Sequence, residues 1–475
     1  MSDQKCHEHA GPDGPDGPDG LDSPDGPDGP DSSDGPDGPD SSDGTESSDK
    51  WTFDGSVYDL GNFVDKHPGG QHYIELTRGT DITMLVKTYH PMMDTTDIAK
   101  KIEKMKVTEV PGYNSQETPL FDELREAVRA YIKYNGSKGS DHLLWSLFFV
   151  TWAWGLVYYG LNYVHSGDLW DGIALGLCMW LVCADSAHSG SHSSIMRSPK
   201  DNLIITRSLG SFFSTSSQWL RQHVVSHHIY TNKNSDPDIW HHPGAALPWR
   251  VSENTPWRRS FSRWKFGLAL TGWMTQIVPN VYYTIEMLLR QRYPPSNAPV
   301  VWCRDEYKRT VFELAVTLCC MFWIMLRHGV LSSLVPSAVC GCLYYAFSQV
   351  SHINLPVDYP NSSEWAVDQI CNCSGDWGCD SSISSFFSIG LNNQGIHHLF
   401  PTVHHSHHTK LMRAFKPIMS KFGVYHGQVE RSFSESLAGH LKRLDELNRW
   451  REPVILHAKP MPLGSDSDDE VPPDD

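Results

Sequence analysis

Four long apolar runs stand out between residues 142 and 350 of an otherwise mixed sequence. They are His142–Val164, Leu169–Ala187, Thr310–Leu326 and Val330–Val350. Each is close to the roughly 20 residues that an α-helix needs to cross a bilayer. A fifth apolar stretch, Phe266–Leu288, is interrupted by Pro279-Asn280. The pattern predicts a helical domain that crosses a membrane several times.

A small soluble domain is predicted in front of these runs, at residues 51–110. The segment Trp51–Leu60 has the pattern of two short strands joined by a turn at Asp54-Gly55. Residues 111–140 then predict a polar linker with one amphipathic helix near Phe121–Tyr134. The membrane domain is expected at residues 141–440.

The formal net charge of −17 belongs to the two ends of the chain. Residues 1–50 contain 15 acidic residues and two lysines in an interrupted Gly-Pro-Asp repeat, and residues 466–475 contain six acidic residues. Low hydrophobicity and dense charge predict a disordered acidic tail at 1–50 and a polar tail at 441–475. No positively charged, apolar signal peptide precedes the repeat, so the N-terminus is expected in the cytosol.

The eleven cysteines do not suggest a disulfide framework. Six of them lie within the apolar runs, where cysteine behaves as a small apolar residue. Cys371, Cys373 and Cys379 lie close together, but their spacing does not match a standard zinc knuckle.

Seven histidines in three short clusters give the strongest chemical signal. They are His188 and His192, then His223, His227 and His228, and finally His397 and His398. The first two clusters contain pairs four residues apart, which a helix places on one side. Imidazole suits iron, copper, zinc and nickel, and no acidic triad accompanies the clusters. The pattern therefore predicts a histidine-rich transition-metal site.

The three clusters resemble the histidine boxes of membrane fatty-acyl desaturases. The string HVVSHHIYTN, from His223 to Asn232 and followed by Asp236-Pro237-Asp238, is similar to front-end desaturases of polyunsaturated acyl chains. The string NQGIHHLFP, at residues 393–401, is similar to the third box. Gln394, in place of a first histidine in that box, resembles the front-end subfamily.

Two positions depart from the family pattern. Ser189 stands where box one usually has Asp after its first histidine. Gly395-Ile396 stands where box three usually has Ile-Glu. Neither change removes a histidine, so they bear on regiochemistry and tuning of the site more than on metal binding.

The resemblance implies a centre of two non-haem iron ions. It also implies an extra ligand, His352, at the end of the fourth apolar run, so the expected ligands are His188, His192, His223, His227, His228, His352, His397 and His398. Gln394 is expected to tune or orient the site. His352 could instead cap a helix end.

Other polar and aromatic residues near the boxes have weaker expected roles. His404, His405, His407 and His408 are expected around the site or at the surface, and His165, His241 and His242 in loops. Trp219, Tyr230 and Asn232 border box two and could shape a substrate channel, although aromatic residues at a membrane interface are more often anchors.

The string His67-Pro68-Gly69-Gly70, with a second histidine at position 90, resembles the cytochrome b5 fold. The resemblance implies that His67 and His90 bind the iron of haem b from its two faces. Since both axial positions are then filled, such a haem transfers electrons and does not activate dioxygen. Family members normally have a further helix and strand where this chain has its repeat, so a shortened haem domain is expected.

The position of the boxes predicts the topology, because all three must lie on one side of the membrane to meet. Two spans before box one and two between boxes two and three satisfy this condition. Phe266–Leu288 is then expected to lie along the interface or to re-enter, and the distribution of Lys and Arg agrees. The expected fold is a small α+β haem domain followed by an all-α polytopic membrane domain, with four transmembrane helices, interfacial helices and a cytosolic cap of histidine boxes.

The resemblance implies an oxidoreductase that uses dioxygen to insert a cis double bond between an existing double bond and the carboxyl end. The delta-5 position is favoured, with delta-4, delta-6 and delta-8 as alternatives. The expected partners are an acyl-CoA or phospholipid substrate, NADH-cytochrome b5 reductase and membrane lipid, with no nucleic acid. The expected location is the endoplasmic reticulum membrane, with both termini and the boxes in the cytosol.

Four other functions compete with this interpretation. A sphingolipid long-chain-base desaturase shares the haem fusion and the Gln-x-x-His-His box, but the box-two string argues against it. A hydroxylase uses the same metal and oxidant. A membrane-anchored electron carrier would have the haem without iron in the boxes, and a zinc hydrolase needs fewer histidines. The basic run Arg258, Arg259, Arg263 and Lys265 could meet a CoA or phospholipid headgroup or follow from positive-inside topology.

Overall fold

A computed structural model describes most of the chain between residues 50 and 449. The described ranges are 50–113, 118–140, 143–231, 304–354, 364–371, 375–424 and 431–449, with the single positions 236, 281 and 285. Several predictions lie outside these ranges: the acidic tail up to residue 49, Asn232, His241 and His242, the basic run at 258–265, Cys373, and the C-terminal residues after 449. The same holds for Phe266–Leu288 apart from positions 281 and 285.

The N-terminal domain begins with the predicted hairpin. Strands Trp51–Phe53 and Ser56–Tyr58 pair antiparallel, and Lys106–Glu109 pairs antiparallel with the second strand. Asp54 and Gly55 both have positive φ, 47° and 72°, which is the geometry of the tight turns that match strand twist. The domain's helices are Gly61–Lys66, Gln71–Glu75, Thr83–Tyr89, Thr95–Ile102 and Glu103–Met105. The first and last of these are 3₁₀ helices.

The four apolar runs form four helices that are long and apolar enough to span a membrane. They are Leu143–Ser166, Leu169–Ser191, Lys308–His328 and Val330–His352. The third helix begins earlier, at Arg304. The second contains a π-helical turn at Met179–Ala184 and the fourth one at Tyr345–Gln349. The second and fourth spans are longer than predicted. The fourth ends at the predicted metal ligand His352, and the second ends at Ser191, one residue before the predicted ligand His192.

Two short turns join the spans in pairs at one end of the bundle. Asp168 begins the second span because its side chain accepts hydrogen bonds from the backbone N–H groups of Trp170 and Asp171. Gly329, with φ of 90°, allows the sharp turn before the fourth span. Nε2 of His328 lies 3.0 Å from the carbonyl oxygen of Val164, so the two turns touch. The histidine-bearing ends of the second and fourth spans therefore lie together at the opposite end.

A helical cap covers that opposite end. Its α-helices are Pro119–Asn135, Pro199–Ser208, Ser216–Trp219, His228–Tyr230, Trp365–Cys371, Ser382–Phe387, Gln394–Leu399, His408–Lys421 and Phe433–Arg449. Shorter 3₁₀ turns lie at Gly210–Phe212, Leu391–Asn393 and His405–His407, and a π-helix at Leu220–His227.

The helix predicted in the linker is present and belongs to the core of the cap. It runs from Pro119 to Asn135, with proline in its first turn and Gly136 in a left-handed conformation after its end. The ring of Phe121 is stacked on Phe400, with ring centroids 5.2 Å apart. The amphipathic pattern identified the helix, but its buried face packs next to box three, which the description as a linker did not anticipate.

The last helix, Phe433–Arg449, continues beyond residue 440, where we placed the end of the membrane domain. His440 is buried, and its two ring nitrogens lie 2.8 Å from the Tyr345 hydroxyl and 2.6 Å from the Ile353 carbonyl oxygen. This part of the chain is therefore packed against the end of the fourth span.

Candidate metal centre and haem cleft

The three histidine boxes and His352 meet in one buried region beneath the cap. Box one forms the last turns of the second span, and His352 ends the fourth. Box two lies on the π-helix Leu220–His227 and the turn after it, and box three on the short helix Gln394–Leu399. All eight predicted ligand histidines are buried.

Four of these histidines form a first cluster. The candidate ligand atoms of His188, His192, His223 and His397 all lie within 4.8 Å of one another. The Nε2 atoms of His188 and His397 are 2.9 Å apart, and those of His223 and His228 are 3.2 Å apart. His228 therefore lies beside this first cluster.

Three histidines form a second cluster directly next to the first. The candidate ligand atoms of His227, His352 and His398 also lie within 4.8 Å of one another. The side-chain amide of Gln394 lies beside this second cluster. Its nitrogen is 2.8 Å from Nε2 of His352 and 2.9 Å from Nε2 of His398. The ring of His228 stacks on His398 with centroids 4.4 Å apart, so it links the two clusters.

The four-residue spacing brings the paired rings together in both boxes, with centroids 5.1 Å apart for His188 and His192 and 5.3 Å apart for His223 and His227. His188 and His192 also belong to the same cluster. In box two, however, His223 and His227 fall into different clusters, and the Nε2 atom of His223 meets that of His228, five residues later. The local helix is a π-helix, whose wider turn aligns residues five apart. Helical periodicity alone could not reveal this change of turn.

The electrostatics of the region favour neutral imidazoles. Burial, with a smaller contribution from the neighbouring rings, holds the pKa well below its usual value at His192, His223, His228, His397 and His398. Neutral imidazole is the form that binds a metal ion. Two nitrogens bound to one metal at about 2.0–2.1 Å are separated by roughly 2.9–3.4 Å. The Nε2 atoms of His188 and His397, at 2.9 Å, match this range in the first cluster, and those of His227 and His352, at 3.2 Å, match it in the second. The residues therefore fit two adjoining metal ions.

Several polar residues orient these imidazoles from outside. Nδ1 of His227 lies 3.0 Å from the carboxylate of Asp236. Nδ1 of His398 lies 3.0 Å from both the Thr231 hydroxyl and the side-chain oxygen of Gln369. Such partners fix the ring and the tautomer of a ligand histidine. Asp236 belongs to the Asp-Pro-Asp sequence that follows box two and that contributed to the family resemblance. The sequence around Gln369 does not mark it as a site residue, because only the fold brings it next to box three.

The two departures from the family pattern have local explanations. The hydroxyl of Ser189 donates to Asp185, at 2.6 Å, so the carboxylate near box one comes from one turn earlier. The backbone N–H of Gly395 donates to the carboxylate of Asp376, at 3.0 Å. A Cβ atom at Gly395 would lie 3.2 Å from that carboxylate, so a larger residue here would require the carboxylate to shift by a few tenths of an ångström.

The four histidines after box three and Trp219 lie around the two clusters. For these histidines this is one of the two predicted placements. His404, His405, His407 and His408 are all buried, so the surface alternative for them is wrong. Nε2 of His405 lies 3.3 Å from Asp185. With Asp185, His404 and His405 form a further group of possible metal-ligating atoms. Trp219 stacks on His223 with centroids 4.5 Å apart, whereas Tyr230 is half-buried and His165 is exposed.

The N-terminal domain contains a cleft between its two predicted haem ligands. The rings of His67 and His90 face each other with centroids 6.1 Å apart. Their Nδ1 atoms lie 3.0 Å from the Gly70 carbonyl oxygen and 3.2 Å from that of Val86. With Nδ1 bonded to the backbone, Nε2 of each ring is left for an iron ion. Both residues line a cleft of about 260 Å³, and burial lowers the pKa of His90 to about 4, so the rings fit an axial role.

Residues of the cap complete this cleft. Lys138, Val224, Val225 and Thr402 line it together with the haem-domain residues. The structure therefore combines a membrane domain holding two adjoining imidazole clusters with a domain holding two facing histidines. This combination is that of a membrane-bound, metal-dependent oxidoreductase with a fused domain of the haem-binding type.

Comparison with known proteins agrees with this class. Residues 168–430, more than half of the chain, match the fatty acid desaturase family, and residues 41–111 match the cytochrome b5-like haem/steroid binding domain. The chain belongs to the fatty acid desaturase family. The predicted fusion of a cytochrome b5-like domain to a front-end type of desaturase is confirmed at this level, as is the predicted fold class.

Relatives that match over most of their length include the following three. The chain is 27% identical over 423 residues to the probable Delta(5) fatty acid desaturase C of Dictyostelium discoideum, covering 82% of this chain and 90% of the relative. It is 26% identical over 434 residues to Delta(5) fatty acid desaturase A of the same organism, covering 84% and 90%. It is 24% identical over 466 residues to the acyl-lipid omega-13 desaturase of Chlamydomonas reinhardtii, covering 86% and 95%.

Proposed function

We propose that this protein is a front-end desaturase that introduces a cis double bond at the delta-5 position of a polyunsaturated acyl chain. The observation that carries the proposal is the pair of adjoining histidine clusters, with ligand atoms close enough for two metal ions, at the cap end of the apolar spans. The delta-5 position is supported by the two Delta(5) relatives and by the box-two string.

An apolar cavity lies among the four spans and has a volume of about 400 Å³. Its walls include Leu156 and Met179 from the first two spans and Leu318 and Cys340 from the last two. Phe213 also lines the cavity, and its ring contacts Trp219, which stacks on His223. An acyl chain in this cavity would therefore approach the first cluster past Phe213 and Trp219.

The eight predicted histidines are the proposed ligands of two iron ions. His188, His192, His223 and His397 would hold one ion, and His227, His352 and His398 the other, with His228 between them. The oxygen atom of the Gln394 amide could complete the second set once its amide group turns over. When bound, the two iron ions supply the oxidising chemistry with dioxygen, while the protein orients the acyl chain and keeps the site free of bulk water.

The haem domain is the proposed electron donor. His67 and His90 would bind haem b axially, and NADH-cytochrome b5 reductase would reduce it. Lys138 lies on the cap side of the cleft, where burial lowers the pKa of its amine to about 8. At neutral pH the amine remains mainly charged and suits a carboxylate group of haem.

The proposed location is the endoplasmic reticulum membrane with the haem domain and the cap in the cytosol. Basic residues near the cap, including Lys133, Lys138, Arg197 and Arg207, support this orientation, since positive loops favour the cytosolic side. The turn at residues 167–168 has no Lys or Arg, and the other turn has Arg327.

Narrowing the cavity is expected to change the preference for acyl-chain length. Cys340→Phe fills part of the cavity wall, and we expect relative kcat/KM for 22-carbon against 18-carbon substrates to fall by about tenfold or more. Cys342→Phe is the matched control, because Cys342 is half-buried on the same span and does not line the cavity. Equal selectivity of the two variants would contradict the assignment of the cavity to the acyl chain.

Product analysis in a host without polyunsaturated acids tests the function. Cells that express the full chain are fed 20- and 22-carbon polyunsaturated acids, and the double bonds of the products are mapped by gas chromatography and mass spectrometry. We expect a new bond at carbon 5 of a 20-carbon chain that already has one at carbon 8. A bond at carbon 4, a hydroxylated product, an unsaturated long-chain base or an unchanged lipid profile would each overturn the delta-5 assignment.

A further inference from the structure

The haem domain touches the first histidine cluster directly, through Tyr89. This residue ends the helix Thr83–Tyr89 and is the immediate neighbour of His90, the proposed haem ligand. Its hydroxyl oxygen lies 2.7 Å from Nδ1 of His192, and the centroids of the two rings are 5.9 Å apart. A side chain next to one redox site thus contacts a proposed ligand of the other.

We propose that Tyr89 is a positioning residue that couples the two redox sites, holding His192 in place and linking it to His90 through one side chain and one hydrogen bond. This inference rests on the proposed function, since it assumes that haem and two metal ions are bound. It adds a specific contact through which the haem domain is connected to the metal centre.

The protonation states that the contact requires are consistent with its surroundings. Nε2 of His192 has no hydrogen-bond partner among the described residues and belongs to the first cluster, so it is free for a metal ion. Nδ1 then carries the ring proton and donates to the Tyr89 oxygen. The Tyr89 O–H lies 3.4 Å from the Val224 carbonyl oxygen, which can accept its proton.

Two neighbouring hydrogen bonds of the same interface end on groups other than a cluster histidine. The Tyr73 hydroxyl donates to the carbonyl oxygen of Ser191, at 2.7 Å. Arg207 donates to Nε2 of His72, also at 2.7 Å. These bonds hold the haem domain against the end of the second span and the helix after box one. Tyr73 therefore provides a control that tests docking without the bond to His192.

The balanced reaction requires no chemical change at Tyr89. Desaturation removes two hydrogen atoms, that is two protons and two electrons, from the acyl chain, and two further electrons with two protons from the medium complete the reduction of dioxygen to two waters. The two further electrons would come one at a time from a haem held by His67 and His90, which the reductase would reduce again between the two transfers. Tyr89 keeps its proton during both transfers, so no covalent bond forms or breaks at this residue.

The test is the rate at which reduced haem is reoxidised by the metal centre. Full-length wild-type protein and Tyr89→Phe, both with haem and iron bound, are reduced without oxygen and mixed with dioxygen and a 20-carbon polyunsaturated acyl-CoA. We expect haem reoxidation to slow by on the order of 10–100-fold in Tyr89→Phe, the range typical for partners of metal ligands. Haem and iron contents are expected to equal those of the wild type.

Tyr73→Phe is the matched control and is expected to stay within about threefold of the wild-type rate, the effect of one lost neutral hydrogen bond. A wild-type rate in Tyr89→Phe, equal slowing in both variants, or loss of iron from Tyr89→Phe would overturn the coupling role. If acyl substrate did not accelerate haem reoxidation in the wild type, the proposed function would fail and this inference with it. The two failures are thus distinguishable.

Discussion

Replacing His397 or His398 with alanine is expected to abolish formation of the new double bond. Each change removes an imidazole from a different cluster, and a buried site cannot recruit a substitute ligand from solvent. Since partners outside the ligand shell already contribute 10–100-fold, we expect loss of a ligand to reduce product by more than about 100-fold. The measurement is the product-to-substrate ratio in cells at equal protein level, with the iron content of each purified variant.

His407→Gln is the control for this pair. His407 is buried in the same part of the chain, but its Nε2 atom lies 2.8 Å from the Gly139 carbonyl oxygen and its Nδ1 atom 3.0 Å from the Tyr131 hydroxyl. It belongs to neither cluster, so its replacement should affect stability more than product. Normal product from His398→Ala would exclude the second cluster from the reaction, and normal product from His397→Ala would exclude the first.

Replacing His67 or His90 with alanine is expected to remove electron supply while leaving the non-haem iron in place. Each ring would fill one axial position of the haem, and without it the haem would be lost or would gain an open position unsuited to electron transfer. We expect reductase-driven product to fall on the order of 100-fold, together with the haem absorbance. The iron that remains should correspond to the two non-haem ions.

Iron retention separates this effect from misfolding. A His67→Ala protein that has lost both haem and non-haem iron would indicate collapse of the whole chain, and His67→Gln with haem supplied during expression would then be needed to isolate the axial role. Full product from either alanine variant without added cytochrome would contradict the fused domain as the electron donor.

The sequence predicted the elements with strong local signals. The apolar runs predicted four spans to within a few residues, because span length and hydropathy do not depend on tertiary contacts. Asp54-Gly55 predicted the hairpin turn. The boxes supplied seven of the eight predicted histidines that meet beneath the cap, and the family resemblance supplied the eighth, His352.

What the sequence could not provide depends on packing between distant segments. The π-helical turn in box two assigns His223 and His227 to different clusters, and nothing in the spacing distinguishes it from an ordinary helix. Gln369 and Asp376 reach box three only because the cap folds over it. Tyr89 looks like an ordinary aromatic residue until the haem domain is placed against His192.

The central claim is that one chain holds a haem and two further iron ions in adjoining histidine clusters. The most direct test is the ratio of total iron to haem in purified, active full-length protein, from elemental analysis and haem absorbance. The account predicts three iron atoms for each haem. A ratio of one would mean that the histidine clusters hold no iron in the active protein and would contradict it.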